Sequence, residues 1–358
     1  MNAPFRPQAP DVRICDLSQD QERARIESFI AVQPDGTPFH RPAWVTAVAS
    51  ATGNRPLGLI AERGGELCGY LPLVDVRSPV FGRALVSSGF GVGGGILASD
   101  RIVADALFAQ VETLAMKRGV PTIELRGGTL PAARSGWTLR SDSHSGFIRD
   151  LAADDETQLL AIPRKQRAEV RKSLDSELVV TIGEGSADRK AHYAVYAESV
   201  RNLGTPVFPR RLFANVLDAF GRDADICTVW HRNVPVASVL SLYHQGAVMP
   251  YWGGGTREAR TLRANDRMYY ELMLHARRRG CDRFDFGRSK TRSGPHAFKR
   301  NWGFEAVPLR YATWTAPGAK GRNADPTSDS HSAKIELWKR LPLPVANVLG
   351  PLIARGLG

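Results

Sequence analysis

The segment RFDFGRSKTRSGPHAFKRNWGFEAVPLRY, residues 283–311, carries the pattern that decides the fold. Phe alternates with charged residues over 283–286, which predicts a strand that stops at Gly287. Pro295 suits the first turn of a helix, because its fixed φ is already helical and its missing N–H is not needed there. We expect that helix to end at Trp302, since a glycine follows. A strand that leads through a loop into a helix is typical of ligand sites in open α/β sheets.

The loop between this strand and helix is strongly basic. Its cations are Arg288, Lys290 and Arg292, and Lys299 lies one turn into the helix. Loops exposed to solvent are often charged as well, but this density of cations at a strand end favours a site that binds an anion. A further strand is predicted over 306–314.

The composition is that of a soluble globular protein with anionic partners. The chain has 358 residues, 43% hydrophobic and 23% charged, which is enough for two domains. Lys and Arg number 48 against 36 Asp and Glu, and the net charge of +12 favours phosphates, nucleic acid or an anionic membrane surface. The four cysteines have no metal-ligand spacing, so we expect no metal, no disulfide framework and a reduced cytoplasmic setting. The sequence shows neither a signal peptide nor a stretch long enough to span a bilayer.

Two parts of the chain repeat one order of elements: a hairpin, a strand with a glycine-rich exit, a helix that ends in Arg-Gly, and a strand with one acidic residue. The first copy includes LAMKRGVPTIELRGG, residues 114–128, and the second includes LHARRRGCDRFDFGRS, residues 274–289. One alignment offset holds throughout and equates Glu124 with Asp285. The sequence therefore predicts a duplicated α/β unit. We place the chemistry in the second copy or between the copies, because the arginines and aromatic residues concentrate in the second.

Turn and capping residues predict several other elements. A Gly-Gly pair predicts a hairpin turn within 56–77, and Asp100 is the expected cap of the helix that follows it. The stretch 126–150 is interpreted as a polar connection. Asn265 or Asp266 is the expected cap of the helix in the second copy.

Two further basic segments are candidates for substrate binding. Arg167 and Arg171 lie one turn apart in a helix predicted over 159–177, where they can hold one anion together. Arg260 and Arg263 lie in the predicted loop TREARTLRAND. The ordinary alternative for such charge runs is a solvated surface.

We expect five segments along the chain. They are an N-terminal segment over 1–34, a first domain over 35–150, a basic connecting helix region over 151–186, a second domain over 187–315, and a flexible linker with an apolar and basic C-terminal tail over 316–358. Residues 1–10 are Pro-rich and predicted to be disordered.

The second copy resembles the FemAB-like branch of the GNAT acyltransferase superfamily. The resemblance rests on the motifs PYWGGGTREAR, ANDRMYYELMLHARRRG, RFDFGRSK and AFKRNWGFEAVPL, together with PRKQRAEVRK, LGTPVFP and WKRLPLPVANVLGPLIARGLG. Within that branch, the chain is most similar to the FemAB-like proteins associated with exosortase/PEP-CTERM loci. The resemblance spans about residues 35–315 and the tail. It implies an α/β (α+β) protein with tandem GNAT-like domains, whose twisted mixed sheets are flanked by helices.

The resemblance also implies an activity. This is the transfer of an acyl or aminoacyl group to an amine of a peptidoglycan or exopolysaccharide precursor, with aminoacyl-tRNA or acetyl-CoA as the donor. In the Fem enzymes, a Phe-Lys pair that opens a helix and a following aromatic-glycine step lie at the reaction centre; the matching residues here are Phe298, Lys299 and Trp302. GNAT enzymes that use acetyl-CoA bind its pyrophosphate with an Arg/Gln-x-x-Gly-x-Gly/Ala loop. Residues 257–264, REARTLRA, lack those glycines, which favours a donor other than coenzyme A without excluding it, since arginines also bind pyrophosphate.

Acyl transfer to an amine needs a proton acceptor, a stabilised oxyanion and a positioned donor. Lys299 is the candidate for stabilising the oxyanion, and Asp285 is the candidate base because its strand turns it away from the neighbouring Phe residues. We find no Gly-x-Ser-x-Gly elbow and no activated cysteine, so direct attack by the amine is expected. Tyr251 and Trp252 end a strand, where they flank an acceptor or stack a base. The alternatives for these residues are surface ion pairing or core packing.

The tail over 335–358 is apolar and basic. It either lies on the inner face of an anionic cytoplasmic membrane or docks on the protein itself, and its prolines favour docking because they interrupt an amphipathic helix. The expected location is therefore cytoplasmic, with peripheral membrane contact as the alternative.

Three functions remain open at this point. The first is a FemAB-like acyl- or aminoacyltransferase of envelope or exopolysaccharide synthesis. The second is an acetyl-CoA-dependent N-acetyltransferase that acts on a nucleotide sugar or a polysaccharide precursor. The third is a non-catalytic module that binds RNA or another anionic ligand through the same arginines.

Overall fold

The computed structural model describes residues 9–79, 81–322 and 332–358, with side chains from 335 onward in the last range. Most of the segment predicted to be disordered, and most of the predicted linker, lie outside these residues. The chain forms two compact units. The first comprises 1–140, 310–324 and 355–358, and the second comprises 141–309 and 325–354.

The first unit is a mixed sheet with three helices. Its strands are β1 (Asp11–Ile14), β2 (Arg55–Arg63), β3 (Glu66–Ser78), β4 (Gly82–Ser87), β5 (Leu97–Ala98), β6 (Thr122–Arg126), β7 (Trp137–Arg140) and, late in the chain, β15 (Tyr311–Thr315). Its helices are α1 (Asp20–Ala31), α2 (Pro42–Thr52) and α3 (Arg101–Lys117). The strand order is β1-β2-β3-β4-β6-β15-β7, with β5 on β3. Among the strands of this unit that the structure describes, β4 and β6 are the pair that runs parallel.

The second unit is a seven-stranded mixed sheet flanked by helices. Its strands are β8 (His144–Asp150), β9 (Leu178–Gly183), β10 (Ala224–His231), β11 (Val234–His244), β12 (Ala247–Gly255), β13 (Arg283–Lys290) and β14 (Val307–Pro308), in the order β14-β8-β13-β12-β11-β10-β9. Its helices are α4 (Asp155–Ala161), α5 (Arg164–Leu174), α6 (Ser186–Leu203), α7 (Arg210–Phe220), α8 (Arg257–Leu262), α9 (Ala264–Arg278), α10 (Gly294–Asn301), α11 (Ser332–Arg340) and α12 (Leu343–Ala354). Only β12 and β13 pair in parallel.

Both units repeat the predicted order of hairpin, strand, helix and parallel strand. In the first unit these elements are β2, β3, β4, α3 and β6, and in the second they are β10, β11, β12, α9 and β13. The predicted fold class, two mixed sheets flanked by helices, is confirmed. Two local predictions also hold. Gly64 and Gly65 make the first hairpin turn with φ of 60° and 84°, and the Asp100 side chain caps α3 by accepting from the Val103 N–H at 2.9 Å.

The stretch 126–150 is not merely a polar connection, and that interpretation was wrong. It contains β7, which pairs with β15 in the first sheet, and β8, which pairs with β13 in the second. The strand predicted over 306–314 divides in the same way, because β14 joins the second sheet and β15 the first. Short or half-exposed strands show only weak alternation of apolar and polar residues. Whether such a segment forms a strand, and in which sheet, therefore depends on the strands with which it pairs.

Three predicted element boundaries also change. The helix predicted over 159–177 is two helices, α4 and α5, separated at Pro163. The arginine-rich loop contains α8, and α9 begins after Arg263, which has φ of 56°, rather than at an Asn or Asp cap. β13 continues past Gly287 to Lys290, since it keeps pairing with β8 there.

The core of the second unit is rich in aromatic residues and lies under α10. Phe147, Phe284 and Trp302 have no exposed surface, and Phe286 is 3% exposed. These rings fix the position of α10 over β13. In the described ranges, no helix has the length and apolarity needed to cross a membrane.

Candidate functional site

The candidate site is a gap between the parallel strands β12 and β13 of the second unit. The strands pair at only two positions, Ala247 with Arg283 and Val248 with Phe284. Both then continue for several residues without pairing to each other. The gap therefore opens toward their C-terminal ends, where open α/β sheets bind ligands.

Irregularities in both strands produce this divergence. Tyr251 is an extra residue in β12, because Trp252 and Pro250 face consecutive residues of β11. In β13 two residues, Phe286 and Gly287, stand opposite one residue of β8, and Gly287 has φ of 67°. Such bulges increase the local twist and re-aim side chains, and they are common beside active sites.

Asp285 lies where β13 leaves the shared ladder. Its neighbours Phe284 and Phe286 point into the core, so alternation directs Asp285 to the other face. Its Oδ1 accepts a hydrogen bond from the Gly287 N–H at 2.8 Å. Burial raises the pKa of Asp285 to about 6, although this hydrogen bond and the charges of Lys299 and Arg283 oppose the shift. A carboxylate with a raised pKa is suited to accept a proton near neutral pH.

Lys299 is the cation beside Asp285. Its Nζ donates to the Arg288 carbonyl oxygen at 3.0 Å and lies 5.4 Å from the ring centroids of both Phe147 and Phe286. Burial lowers the pKa of Lys299 to about 8, the charge of Asp285 opposes this shift, and the charge of Arg288 adds to it. A half-buried ammonium with further N–H donors is suited to bind an oxyanion.

Phe298 and Trp302 hold α10 in place. The Phe298 ring lies 6.2 Å from the Phe286 ring and 5.8 Å from the Tyr269 ring. Trp302 is fully buried, and within the described residues its Nε1 has no hydrogen-bond partner. This packing positions the neighbouring Lys299. The catalytic and substrate-binding roles of the two aromatic residues remain predictions.

Arg288 and Lys290 have exposed side chains on the last residues of β13. Between them Ser289 is 6% exposed, and its Oγ has no hydrogen-bond partner among the described residues. The end of β13 therefore presents two cations and a buried hydroxyl. Ser289 was not predicted from the sequence as a residue of the site. Its position on a strand between two cations is the one signal that could have pointed to it.

The exit of β12 forms the other side of the gap. Thr256 Oγ1 and Asn265 Oδ1 are buried there without a hydrogen-bond partner in the described part of the chain. Among the predicted arginines nearby, Arg260 is exposed on α8, whereas Arg263 forms an ion pair with Glu169 of α5. Arg260 is thus accessible to a ligand, whereas the ion pair of Arg263 links α5 to the start of α9. The polar residues Thr256 and Asn265 were also missed.

The helix α5 packs along α9, and its outer face is basic. Gln166 Nε2 donates to Asp266 Oδ1 at 2.5 Å, and burial raises the pKa of Asp266 to about 6. Arg167 Nη1 donates to the Leu160 carbonyl oxygen at 3.0 Å. Arg171 is exposed. Binding of substrate by these two residues stays a prediction.

Tyr251 and Trp252 lie at the bulge of β12, with ring centroids 5.0 Å apart. Trp252 is 6% exposed and packs edge-on against Phe213 at 5.1 Å and near Phe208 at 6.1 Å. Trp252 is therefore part of the core under α6 and α7. Tyr251 is half-buried, and its contact with a substrate stays a prediction.

The equivalent gap in the first unit is filled by the chain itself. After β4 a glycine-rich loop returns, and a Cβ at Gly95 would lie 1.9 Å from the Gly127 carbonyl oxygen. Ile96 then bridges to Gly128 beyond β6. Glu124, the counterpart of Asp285, forms ion pairs with Arg322 at 3.0 Å and Arg126 at 3.7 Å. Its environment is that of a paired carboxylate rather than a free base.

The structure thus separates the predicted residues into two groups. Asp285, Lys299, Phe298, Trp302, Arg288 and Lys290 lie together on β13 and α10. The others lie on α5, β12 and α8 or between α8 and α9: Arg167, Arg171, Tyr251, Trp252, Arg260 and Arg263. Within the described ranges, no group of three His, Cys, Asp or Glu side chains is arranged to hold a metal ion.

Comparisons with known proteins show what the chain is similar to. Residues 164–300 match a family model described as an acetyltransferase (GNAT) domain. No curated protein sequence matches the chain. The crystal structure of FemX has a similar fold, with a TM-score of 0.64 at 15% identity, covering 81% of this chain and 95% of that one.

Two further solved structures are similar over most of both chains. One is the tandem GNAT protein from the clavulanic acid biosynthesis pathway, with a TM-score of 0.55, 14% identity and coverage of 87% and 100%. The other is the C-terminal DUF2156 domain from Agrobacterium fabrum assigned to a lysylphosphatidylglycerol synthetase, with a TM-score of 0.57, 12% identity and coverage of 84% and 93%. The chain therefore has a tandem GNAT-like fold. Its second unit contains an acetyltransferase (GNAT) domain, and this domain makes the chain a transferase.

Proposed function

We propose that this chain transfers an acyl or aminoacyl group to an amine of a cell-envelope precursor of the peptidoglycan or exopolysaccharide type, as the FemAB-like resemblance implies. The observation that carries the proposal is the pair Asp285 and Lys299 at the mouth of the β12–β13 gap. Burial moves both pKa values toward neutrality, to about 6 and about 8. At neutral pH the pair thus offers a proton acceptor and a cation in one place.

The proposed step is direct attack. The acceptor amine forms a C–N bond with the carbonyl carbon of the donor while Asp285 takes a proton from the amine. Lys299 stabilises the oxyanion that forms and then protonates the leaving atom. That atom is the ribose oxygen of an aminoacyl ester or the sulfur of a thioester, whose bond to the carbonyl carbon breaks. Solvent restores both protonation states.

The donor we favour is aminoacyl-tRNA. Residues 257–264 lack the glycines that let backbone N–H groups approach a pyrophosphate, and the Arg257 N–H at the start of α8 already donates to Glu198 Oε1 at 3.1 Å. Arg260 and Arg171 are exposed nearby on α8 and α5, on elements that pack against α9. Cations on neighbouring helices fit an extended phosphate backbone.

Acetyl-CoA is the second candidate donor. The match of residues 164–300 to an acetyltransferase domain favours it. Thr256 and Asn265, with their unpartnered polar atoms at the exit of β12, are where a pyrophosphate or pantetheine would find hydrogen bonds.

A donor assay tests the proposal. The purified chain is incubated with acetyl-CoA or with a mixed pool of charged tRNA, and candidate amine acceptors are analysed by mass spectrometry. We expect acceptor-dependent loss of the amino acid from tRNA. This transfer should be strongly slowed in Lys299→Met but kept in Arg300→Met, the exposed neighbour on α10. Transfer from acetyl-CoA alone would establish the second donor. Transfer from tRNA at equal rates in both variants would overturn the assigned site.

A further inference from the structure

The C-terminal helix α12 carries small residues on its inner face. Ala346, Gly350 and Ala354, spaced four residues apart, are the buried positions of the helix. A Cβ at Gly350 would lie 2.7 to 2.9 Å from Val207 Cγ1, N and O, so the helix backbone rests directly on the segment after α6. This close contact fixes which face of α12 points outward.

The outer face of α12 carries the large apolar side chains. Val348 is 69% exposed and Leu352 is 65% exposed, while Val345 and Leu349 are 42% and 41% exposed. Their spacing of three and four residues places them on one stripe of the helix. A helix that merely closed the protein's own core would turn these residues inward. A continuous exposed apolar stripe of this kind marks an interaction surface.

The charged residues that flank this helix in the sequence are cationic. Residues 343–354 contain no charged side chain, and no Asp or Glu occurs between Leu337 and the end of the given sequence. The exposed residues Arg340 and Arg355 flank the helix on its two sides. An apolar stripe between cations complements the headgroups and acyl boundary of an anionic lipid surface. Two copies of the stripe packed together would instead bring like charges toward each other.

We propose that the outer face of α12 docks on the surface of a bilayer that contains anionic phospholipid, with the helix lying in the interface. The helix has 12 residues and is about 18 Å long, too short for a hydrocarbon core of about 30 Å. The predicted interruption of the tail helix occurs between α11 and α12, at Leu341 and Pro342, whereas Pro351 lies inside α12. This proposal rests on the exposed apolar face of α12 and on the cations that flank the helix in the sequence, and it does not depend on the proposed acyl transfer.

Vesicle flotation tests the proposal with the full chain. We expect binding to vesicles of phosphatidylcholine with phosphatidylglycerol and little binding to phosphatidylcholine alone. The double variant Val348→Asn with Leu352→Gln should weaken binding at least about tenfold, since it removes two apolar side chains from the contact. Arg340→Gln should weaken binding to the anionic vesicles about fivefold.

A matched control uses exposed apolar residues elsewhere. Val179→Asn on β9 and Leu139→Gln on β7 remove side chains that are 61% and 55% exposed, and we expect neither to change vesicle binding. Equal vesicle binding by the wild-type chain and the α12 double variant would overturn the proposal. So would a doubled mass in light scattering that the double variant abolishes without vesicles present, because the stripe would then bind a second copy. The double variant should keep its donor-dependent turnover of a water-soluble amine. A loss of vesicle binding can therefore be told apart from a failure of the proposed acyl transfer.

Discussion

Burial shifts the pKa values of both Asp285 and Lys299, and the charge of each residue opposes the shift of the other without cancelling it. The charge of Lys299 lowers the pKa of Asp285 and the charge of Asp285 raises the pKa of Lys299, yet burial dominates both values. The result is a carboxyl with a pKa of about 6 and an ammonium with a pKa of about 8. Both groups are charged between these values, in a place where charge is costly. Acidic groups with a raised pKa and basic groups with a lowered pKa cluster at functional sites.

The substitution Asp285→Asn should stabilise the protein at neutral pH. The folded-state pKa of Asp285 is raised from 3.8 to about 6, so folding loses stability as pH rises through this window. A neutral side chain removes that loss. We therefore expect the free energy of unfolding to rise by about 1–2 kcal/mol at pH 7 and not at all below about pH 4. Urea unfolding at several pH values measures it. The control Asp282→Asn, at an exposed position, should show no such pH dependence. A stability loss at pH 7 would mean that Asp285 is a structural ion-pair partner.

The substitution Glu124→Gln should have the opposite effect in the first unit. Glu124 neutralises Arg322, whose side chain is only 1% exposed, so the change leaves a buried cation without its carboxylate. We expect a loss of about 3 kcal/mol in unfolding free energy, with kcat unchanged because the proposed reacting groups, Asp285 and Lys299, lie in the second unit. Asp105→Asn, which breaks an exposed pair with Arg101, should cost no more than about 0.5 kcal/mol. A large fall in kcat with unchanged stability would place chemistry in the first unit.

The substitution Gly95→Ala tests whether the glycine-rich loop fills the gap of the first unit. The added Cβ would stand 1.9 Å from the Gly127 carbonyl oxygen, and backbone on both sides must shift to admit it. We expect a loss of roughly 3 kcal/mol and a lower thermal midpoint. Gly294→Ala, where a Cβ meets no atom within 4 Å, should stay within about 0.5 kcal/mol of the wild type. Equal midpoints for the two variants would show that the gap is open.

The substitution Lys299→Met should lower kcat roughly 100- to 1,000-fold, the range for loss of one oxyanion donor. Folding should be unaffected, because Met keeps the contact with the rings of Phe147 and Phe286. Arg300→Met on the same helix is the matched control and should retain kcat, since Arg300 is exposed to solvent. A raised KM with unchanged kcat would make Lys299 a binding residue only.

The repeat and the charged strand end were sufficient to predict much of the fold and the core of the site. The counterpart positions Glu124 and Asp285 lie on matching strands of two mixed sheets, as the alignment offset predicted. The alternation of Phe284 and Phe286 correctly placed Asp285 on the other face. These features are local, so a single segment of sequence determines them.

The features that were missed depend on partners far along the chain. β15 belongs to the first sheet because it pairs with β6, almost 190 residues earlier, and no local pattern encodes that choice. The ion pair that Arg263 forms with Glu169 on another helix was not predicted, and its substrate-binding role stays a prediction. Ser289 and Asn265 became visible only through the unpartnered polar atoms that packing leaves beside the gap.

The most direct test of the central claim is the pH dependence of kcat for the wild-type chain with the donor and amine found by the assay above. We predict a bell-shaped profile that rises through about pH 6 as Asp285 ionises and falls through about pH 8 as Lys299 loses its proton. Asp285→Asn should remove the acidic limb and Lys299→Met the alkaline limb. Limbs that persist unchanged in both variants would contradict the assignment of the reaction to this pair.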